Sequence, residues 1–203
     1  MEFLSDTDYC DQDFKNVSLK QSVLTQTDFQ NCNFDRCDFS QTELTECRFD
    51  NCTFNSCDLS LIKPNKSYFR DSVFLTCKLI GVNWIDSAEP FSADFRDCII
   101  SLSSFCGLSS KKGVFCGMNL KKRKLINCVA HEVDFSECNL TDSDCTGTDF
   151  LNSTFSQTNL TRADFSNAKN YLIDFKDNVL TKAKFSLPEA IRLLDTLNII
   201  LVE

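Results

Sequence analysis

The sequence predicts an all-β solenoid, a squared coil whose successive turns pair like parallel strands. Two observations predict it. From Thr27 to Leu59 every fifth residue is Phe or Leu, and a small residue lies two positions before each of them. Seventeen of the 19 Phe residues of the chain fall on this five-residue register. A period of five fits neither an α-helix nor a flat strand, and a sustained internal repeat indicates a stacked architecture.

The physical reason for stacking is that one five-residue unit supplies one large apolar side chain, which it cannot bury alone. Stacked units share a continuous core. Each unit forms one side of the coil, and four sides complete a turn, so every fourth unit is expected to stack. The Phe and Leu residues, here called centres, and the small residues two positions before them are predicted to point inward. Successive turns are expected to lie about 4.8 Å apart.

The register divides the chain. It runs from Tyr9 to Trp84 and again from Phe95 to Phe185, with a step of 11 between the two runs. One inserted residue therefore predicts a bulge near Pro90. The predicted organisation is an N-terminal β-helix segment 1–84, a joint 85–94, a C-terminal β-helix segment 95–185, and a cap with a tail 186–203.

The C-terminal segment is predicted to form a helical cap. Ser186 and Glu189 have capping-box spacing, and Pro188 suits a first helical turn. An apolar stripe at helical spacing follows, and residues 199–202 resemble a short strand. Two interpretations are open, a simple end cap or a cap that also forms a two-fold dimer interface. The predicted interface residues are Leu187, Ile191, Leu194, Leu197, Ile199 and Leu201.

Composition restricts the class of protein. The formal net charge is −8, which argues against direct binding of nucleic acid, because phosphate binding needs a basic surface. No apolar run approaches the length of a membrane span and no signal peptide is evident. Thirteen Cys residues without a secretion signal indicate reduced thiols. We therefore expect a cytoplasmic protein.

Catalytic and metal-binding motifs are not recognisable in the sequence. The Cys spacing matches no zinc motif, and His131 is the single His. Nine Cys residues occupy the small position before a centre, which predicts buried packing, and Cys37, Cys57 and Cys77 are expected to stack as an inward ladder. We expect no enzymatic activity, no cofactor, no metal and no small-molecule substrate.

Acidic residues four units apart are predicted to form columns on the surface. Asp38 with Asp58 and Asp144 with Asp164 are expected to be direct neighbours. A third column is predicted to contain Asp94, Asp134 and Asp174. These carboxylates are either ordinary solvated repeat positions or an electronegative surface that imitates duplex DNA. A net charge of −8 over a rod of about 43 Å is far less dense than DNA, with one charge per about 1.7 Å.

The regularity fails at a few positions. Pro64 is a centre position and is predicted to form a local protrusion, as is Pro90. Loss of large apolar centres at Ser110, Ala130 and Asn170 suggests an irregular face. Basic residues accompany it in sequence, namely Lys111, Lys112 and the run 121–124, in which Arg123 occupies a position usually turned inward.

The repeats CNFDR, CDFSQ, TDFLN, TNLTR and ADFSN resemble the pentapeptide-repeat family, whose consensus is A(D/N)LXX, over about residues 7–185. The resemblance implies a right-handed quadrilateral β-helix with a C-terminal α-helical cap and a short tail strand. The apolar C-terminus is similar to the topoisomerase-protecting subgroup of Qnr, MfpA and McbG-like proteins.

This subgroup resemblance implies a non-enzymatic DNA mimic that dimerises through its C-terminus and binds DNA gyrase or topoisomerase IV, protecting it from quinolones or modulating it. Two alternatives stay open, an interaction module for an unrelated target and an immunity protein against a gyrase-targeting peptide toxin. Qnr members often carry protruding loops, whereas no long insertion is predicted here.

Overall fold

The computed structural model describes residues 7–89, 91–105, 118–197 and 199. The chain winds as a right-handed quadrilateral β-helix in which every strand pairing is parallel. Most strands are three residues long, because each side of the coil holds only one short extended segment between corners. The predicted solenoid is therefore confirmed.

Three of the four sides carry named strands. Side 1 is formed by β1 (Asp8–Cys10), β4 (Asp28–Gln30), β7 (Arg48–Asp50) and β10 (Tyr68–Arg70). Side 2 is formed by β2 (Asp13–Lys15), β5 (Asn33–Asp35), β8 (Thr53–Asn55), β11 (Val73–Leu75), β12 (Asp94–Arg96) and β13 (Leu125–Ile126), and further on by β14 (Asp164–Phe165) and β15 (Lys184–Phe185). Side 4 is formed by β3 (Val23–Thr25), β6 (Glu43–Thr45) and β9 (Lys63–Asn65). Side 3 consists of isolated bridges, such as Asp38 with Asp58.

Aromatic rings fill the interior in columns. On side 2 the rings of Phe14, Phe34, Phe54, Phe74 and Phe95 stack in that order, with centroid separations of 5.1, 4.8, 4.8 and 5.2 Å. Near-parallel rings of this kind contribute on the order of 1 kcal/mol per pair beyond the area they bury. The spacing follows the strand spacing of a parallel sheet, so the five-residue register directly produces the core.

The small inward residues also donate hydrogen bonds. Thr42 Oγ1 donates to the carbonyl oxygen of Leu19 at 2.7 Å, and Cys47 Sγ donates to that of Leu24 at 3.3 Å. Each accepting carbonyl belongs to a centre residue one turn earlier, so a buried acceptor gains a partner. Burial raises the pKa of Cys52 to about 12, which keeps this thiol a protonated donor.

The nine predicted packing cysteines are all buried. They are free thiols and comprise Cys32, Cys37, Cys47, Cys52, Cys57, Cys77, Cys98, Cys128 and Cys138. The predicted ladder is also present, since the backbone N–H of Cys37 lies 3.4 Å from Cys57 Sγ and that of Cys57 lies 3.4 Å from Cys77 Sγ.

Corners of the coil require left-handed backbone conformations. The residue two positions after a centre has a positive φ at nearly every described corner, as at Arg36 with 52° and Leu61 with 59°. Gly81 and Gly147 occupy the same position with φ of 68° and 70°. Non-glycine residues adopt this region at a cost of about 1 kcal/mol, so stacking stabilises a backbone that an isolated repeat would avoid.

The inserted residue lies beside the single Trp. Phe54 pairs with Phe74 at the regular step of four units, whereas the partner of Phe74 in the next turn, Phe95, comes one residue later than that step. A 3₁₀ helix over Trp84–Asp86 accommodates the change, and the Trp84 ring is fully buried. Pro90 lies outside the described residues.

Pro64 forms no protrusion, which corrects the sequence-based prediction. It lies in β9 opposite Leu44 and is buried like any other centre. The strand β9 is the last of the three-stranded sheet on side 4. Proline is tolerated on such an edge strand because its missing N–H leaves no ladder hydrogen bond unmade.

One turn of the coil is longer than the others by two whole units, which corrects the expectation that no long insertion is present. Phe95 pairs with Leu125, and Ser104 pairs with Asp134. The chain closes across the insertion, because the backbone N–H of Met118 donates to the carbonyl oxygen of Phe105 at 3.0 Å. The ten extra residues belong to the segment 106–117 between these two, and this segment, which includes Lys111 and Lys112, lies outside the described residues.

The C-terminal cap is a 3₁₀ helix over Glu189–Leu197, not the expected α-helix. Ser186 and Glu189 do not form a capping box. Instead, Ser186 Oγ accepts the N–H of Asn167 at 3.1 Å and Glu189 Oε1 accepts that of Asn170 at 2.7 Å. Their side chains thus fasten the cap to the preceding turn. Neither helix of the described chain has the length and apolar character needed to cross a bilayer.

Candidate partner-binding surface

Six of the seven predicted surface aspartates share one local geometry, and Asp94 is the exception, since its Oδ1 accepts the backbone N–H of Lys124. In each of the six, Oδ1 accepts the backbone N–H of the residue two positions later, at 2.8–3.1 Å. The residues are Asp38, Asp58, Asp134, Asp144, Asp164 and Asp174. This bond is an Asx turn that closes the corner, and it fixes the side chain. One carboxylate oxygen therefore has a structural task, while the other can face a partner.

Two of the predicted columns are present. Asp38 pairs with Asp58 on side 3, and Asp144 pairs with Asp164 on side 2. Like charges one strand apart repel each other mildly. The Asp38 column continues into Lys78, and the Asp164 column continues into Lys184, whose Nζ lies 2.8 Å from Asp164 Oδ2.

The third predicted column is wrong in one member, because Asp94 lies on a different side from Asp134 and Asp174. Asp94 lies in β12 on side 2 and is followed there by Lys124, Asp144 and Asp164, whereas Asp134 lies on side 4 beside Ser104. The ten-residue insertion separates Asp94 from Asp134, because it displaces the later residues by two sides. Asp174 lines the same surface cleft as Thr154, which pairs with Asp134.

Cross-turn ion pairs neutralise part of the acidic surface. Arg70 Nη2 lies 2.7 Å from Asp50 Oδ2, and Arg162 Nε lies 2.6 Å from Asp142 Oδ1. The Arg162 guanidinium lowers the pKa of the Asp142 carboxyl. Asp94 Oδ2 lies 3.8 Å from Arg96 Nη2, and Asp94 Oδ1 lies 3.9 Å from Arg123 Nη1. Five predicted aspartates have no ion pair in the described residues, namely Asp38, Asp58, Asp134, Asp144 and Asp174.

Side 4 adds Glu137 and Asp177 to Asp134 and Asp174, the two aspartates of the third predicted column that remain together. In the turns after residue 118 it presents Asp134, Glu137, Asp174 and Asp177, together with Lys176, and Arg192 of the cap lines the same cleft as Asp174. The four carboxylates form no ion pair among the described residues, and Lys176 Nζ lies over the Phe175 ring at 5.9 Å from its centroid. Glu137 and Asp177 lie two residues after Phe135 and Phe175, at the corner, and therefore outside the predicted column.

His131 lies on side 3 within a polar cluster. Its Nε2 is 3.2 Å from Asp149 Oδ2, and Lys169 Nζ is 3.4 Å from the same oxygen. Burial alone raises the pKa of Asp149, but the hydrogen bond from Asn170 and the adjacent His131 imidazole outweigh it and lower that pKa. In the part of the chain that the structure covers, no three His, Cys, Asp or Glu side chains lie close enough together to hold a metal ion.

The members of the predicted irregular face that the structure describes, Ala130 and Asn170, share side 3 with Phe150 between them. Ala130 lies on side 3 between Ile100 and Phe150, as the bonds of its neighbours show. At Asn170 the adjacent Tyr171 supplies the missing ring and is fully buried. Pro90 and Ser110 lie outside the described residues.

The predicted dimer residues are exposed on the C-terminal end. Leu187 is 79% exposed, Ile191 45%, Leu194 37% and Ile199 52%, while Leu197 is half-buried. Leu193, which the predicted stripe omitted, packs against the core instead, because a 3₁₀ helix has a different angular period from an α-helix. Leu201 lies outside the described residues, and Ile199 is not part of a strand.

Comparison with known proteins shows similarity to one family. A sequence model described as "Pentapeptide repeat region" matches residues 27–105, and one described as "Pentapeptide repeats (8 copies)" matches residues 4–41 and 131–167. Together they match more than half of the chain. No curated protein sequence matches it.

Solved structures show the same fold. HetL from the cyanobacterium Nostoc sp. strain PCC 7120, described as involved in the regulation of heterocyst differentiation, is similar with a TM-score of 0.65 and 16% identity, covering 88% of this chain and 86% of HetL. A trypsin-treated form of QnrB1, described as a plasmid-mediated fluoroquinolone resistance protein, has a TM-score of 0.53 and 18% identity, covering 96% and 97%. At these identities the similarity concerns the fold.

Proposed function

Because the chain belongs to the pentapeptide-repeat family, we propose that it is a non-enzymatic, cytoplasmic protein-binding rod whose partner is a type II topoisomerase, most directly DNA gyrase. The observation that carries the proposal is the acidic surface on side 4, where Asp134, Glu137, Asp174 and Asp177 have no ion pair among the described residues. A basic DNA-binding surface is the complementary partner.

The geometry of these carboxylates favours recognition by position. Asp134 and Asp174 are fixed by their bonds to the N–H groups of Ser136 and Lys176 at 2.9 and 2.8 Å. A fixed side chain loses little conformational entropy when it binds a guanidinium or ammonium group. Bulk charge contributes less, because the rod is much less densely charged than DNA, with its one charge per about 1.7 Å.

Structural similarity to QnrB1 adds support by analogy. The match extends over 96% of this chain and 97% of that protein, so the analogy concerns the whole rod and not one repeat. Fold similarity at 18% identity does not transfer a function by itself, and a gyrase assay is the deciding experiment.

The assay measures supercoiling by purified gyrase, with and without a quinolone, across micromolar concentrations of the protein. We expect inhibition of supercoiling or relief of drug-dependent cleavage. The double variant Asp134→Asn/Asp174→Asn should weaken the effect about tenfold or more. Asn preserves the corner, because Asn139 and Asn159 already form the same bond at 3.1 and 3.0 Å.

The matched control is Asp38→Asn/Asp58→Asn on side 3, which removes the same charge from another surface. We expect it to retain the activity of the parent protein. Absence of inhibition and protection in the parent would refute the topoisomerase partner. Loss of activity in the side 3 variant alone would refute side 4 as the binding surface.

Dimerisation through the C-terminus is the second part of the proposal. Leu187, Ile191 and Leu194 expose apolar surface at the end of the rod, and a two-fold contact there would bury it. Light scattering should give twice the mass of one chain for the parent and the mass of one chain for Leu194→Asp. A monomeric parent at micromolar concentration would leave the segment as an end cap.

An interaction module for another protein is the competing function, and immunity to a gyrase-targeting toxin is a narrower version of the first. The similarity to HetL, with a TM-score of 0.65, favours the competing class. This function would be established if the protein leaves gyrase unaffected and binds one other protein in an affinity-capture experiment.

A further inference from the structure

One corner of the rod reverses its charge along the axis. The corner between sides 1 and 2 includes segments 10–13, 30–33, 50–53, 70–73 and 91–94, which hold five carboxylates and one cation, a net charge of −4. In later turns the same corner includes segments 121–124, 141–144, 161–164 and 181–184, which hold seven cations and three carboxylates, a net charge of +4. We call these four later segments the basic ridge.

Some cations of the basic ridge are engaged within the protein. Arg162 binds Asp142 at 2.6 and 2.8 Å, and Lys184 Nζ lies 2.8 Å from Asp164. Arg123 turns back toward the preceding turn, where its Nη1 donates to the carbonyl oxygen of Ser92 at 2.9 Å. The half-buried guanidinium of Arg123 is thus held by backbone carbonyls, at a position that a small residue takes elsewhere.

Four lysines of the ridge have no such partner. Lys121, Lys122, Lys124 and Lys182 form no ion pair with any residue that the structure describes, and all but Lys124 are exposed. Three of them belong to the same turn. Their charges therefore remain available to an anionic partner, and Asp144 is the one carboxylate of the ridge without an ion pair among the described residues.

Side 1 adds hydrogen-bond donors next to these lysines. Asn119, Asn139 and Asn159 lie in successive turns. Each uses Oδ1 to accept a backbone N–H two residues later, at 3.3, 3.1 and 3.0 Å. Because the acceptor atom is engaged, the amide NH₂ group is what each side chain can offer to a partner. The surface is consequently cationic and rich in donors.

We propose that the basic ridge, together with this asparagine column, binds a short acidic segment of a partner protein in extended conformation. Carboxylates supply both the negative charge and the acceptors that this surface requires. Three steps between turns span about 14 Å, which corresponds to about four residues of extended chain. This inference does not depend on the topoisomerase proposal, because it concerns another surface and the opposite charge.

Charge outside the ridge favours a short segment over a long polyanion. The net charge of the whole chain is −8 and that of the ridge is +4, so the rest of the chain carries a net charge of −12. A nucleic acid duplex, with one charge per about 1.7 Å, would extend beyond the ridge and meet this repulsion. A short peptide would not.

The experiment measures fluorescence anisotropy of labelled hexaglutamate with the full chain at low salt, with hexaglutamine and a 12-base-pair DNA duplex as alternative probes. We expect saturable binding of hexaglutamate that weakens at 200 mM salt, as screened ion pairs do. The variant Lys121→Gln/Lys122→Gln/Lys124→Gln should bind at least tenfold more weakly.

A charge-matched control is Lys15→Gln/Lys20→Gln/Lys66→Gln, which removes three exposed lysines from the earlier turns. It should bind hexaglutamate within twofold of the parent. Equal loss in both variants, equal affinity for hexaglutamine, or tighter binding of the duplex would each overturn the proposal. Circular dichroism of both variants checks that the coil is intact.

Discussion

Phe95 lies directly opposite Leu125 in adjacent parallel strands, although a complete turn and an insertion of two further units separate them in the sequence. Regular turns hold four units, as between Phe34 and Phe54. The ten extra residues leave the core continuous, because the chain rejoins itself between Phe105 and Met118. This closure makes the insertion removable in principle.

Deletion of residues 106–115 should therefore leave a regular turn of four units. Cys116 and Gly117 would then occupy the two corner positions after Phe105, and Gly suits the left-handed second position. We expect a cooperative thermal transition within a few degrees of the parent, measured by circular dichroism. Loss of cooperative unfolding would show that the inserted residues hold the turn together. Any change in the gyrase assay with an intact coil would assign that effect to the insertion.

Removal of an inward hydroxyl should destabilise the coil. Thr42 is fully buried and donates to the carbonyl oxygen of Leu19 at 2.7 Å. Thr42→Val keeps the shape but removes one of the two donors of that carbonyl, which also accepts the N–H of Ser22 at 2.9 Å. We therefore expect a loss of about 0.5–1.5 kcal/mol in the free energy of unfolding. Urea denaturation measures it. The matched control Thr53→Val, on the outer surface of β8, should change stability by less than about 0.5 kcal/mol. Equal effects of both variants would contradict the role of the buried donor.

Gly147 should not tolerate a side chain. Its φ is 70°, and a Cβ at this position would contact Asn127 Oδ1. Gly147→Ala is expected to cost about 1–2 kcal/mol from the backbone conformation, with an additional steric contribution. The double variant with Asn127→Ala should recover the steric part and leave the backbone part, as urea denaturation can resolve. Full recovery would mean that the left-handed conformation carries no cost there.

Acid should weaken the protein partly through Asp142. Hydrogen bonds from Arg162 lower the pKa of Asp142 in the folded state. The unfolded chain, with an Asp pKa of about 3.9, therefore takes up this proton first as the pH falls, and the contribution to stability is lost below about pH 4. Asp142→Asn and Arg162→Gln should each flatten the dependence of unfolding free energy on pH in this range. If either variant has the same slope of unfolding free energy against pH as the parent, the role of this pair is contradicted. High salt screens a surface pair, so a difference in slope between parent and variant that persists in about 1 M salt would also contradict it.

Prediction from the sequence succeeded where a rule depends on the neighbouring residues. The buried rings of Phe34 and Phe54, the inward thiols of Cys37 and Cys57, and the pairing of Asp38 with Asp58 all follow from a five-residue register in unbroken turns. At the C-terminus the sequence predicts an α-helix, whereas the segment Glu189–Leu197 is a 3₁₀ helix and Leu193 packs against the core, because contacts with the last turn decide both.

The sequence by itself determined the solenoid, because each repeat encodes its own inward and outward positions. Only the tertiary structure decided which side of the coil each residue occupies. An insertion of two whole units leaves the five-residue period of the repeat unchanged, so the register does not reveal it. It does change the four-unit period of the turn, and it therefore moves every later residue by two sides. For this reason Asp94 and Asp134 lie on different sides, the acidic surface gathers on side 4, and the run from Lys121 to Lys124 continues a corner that is acidic in earlier turns.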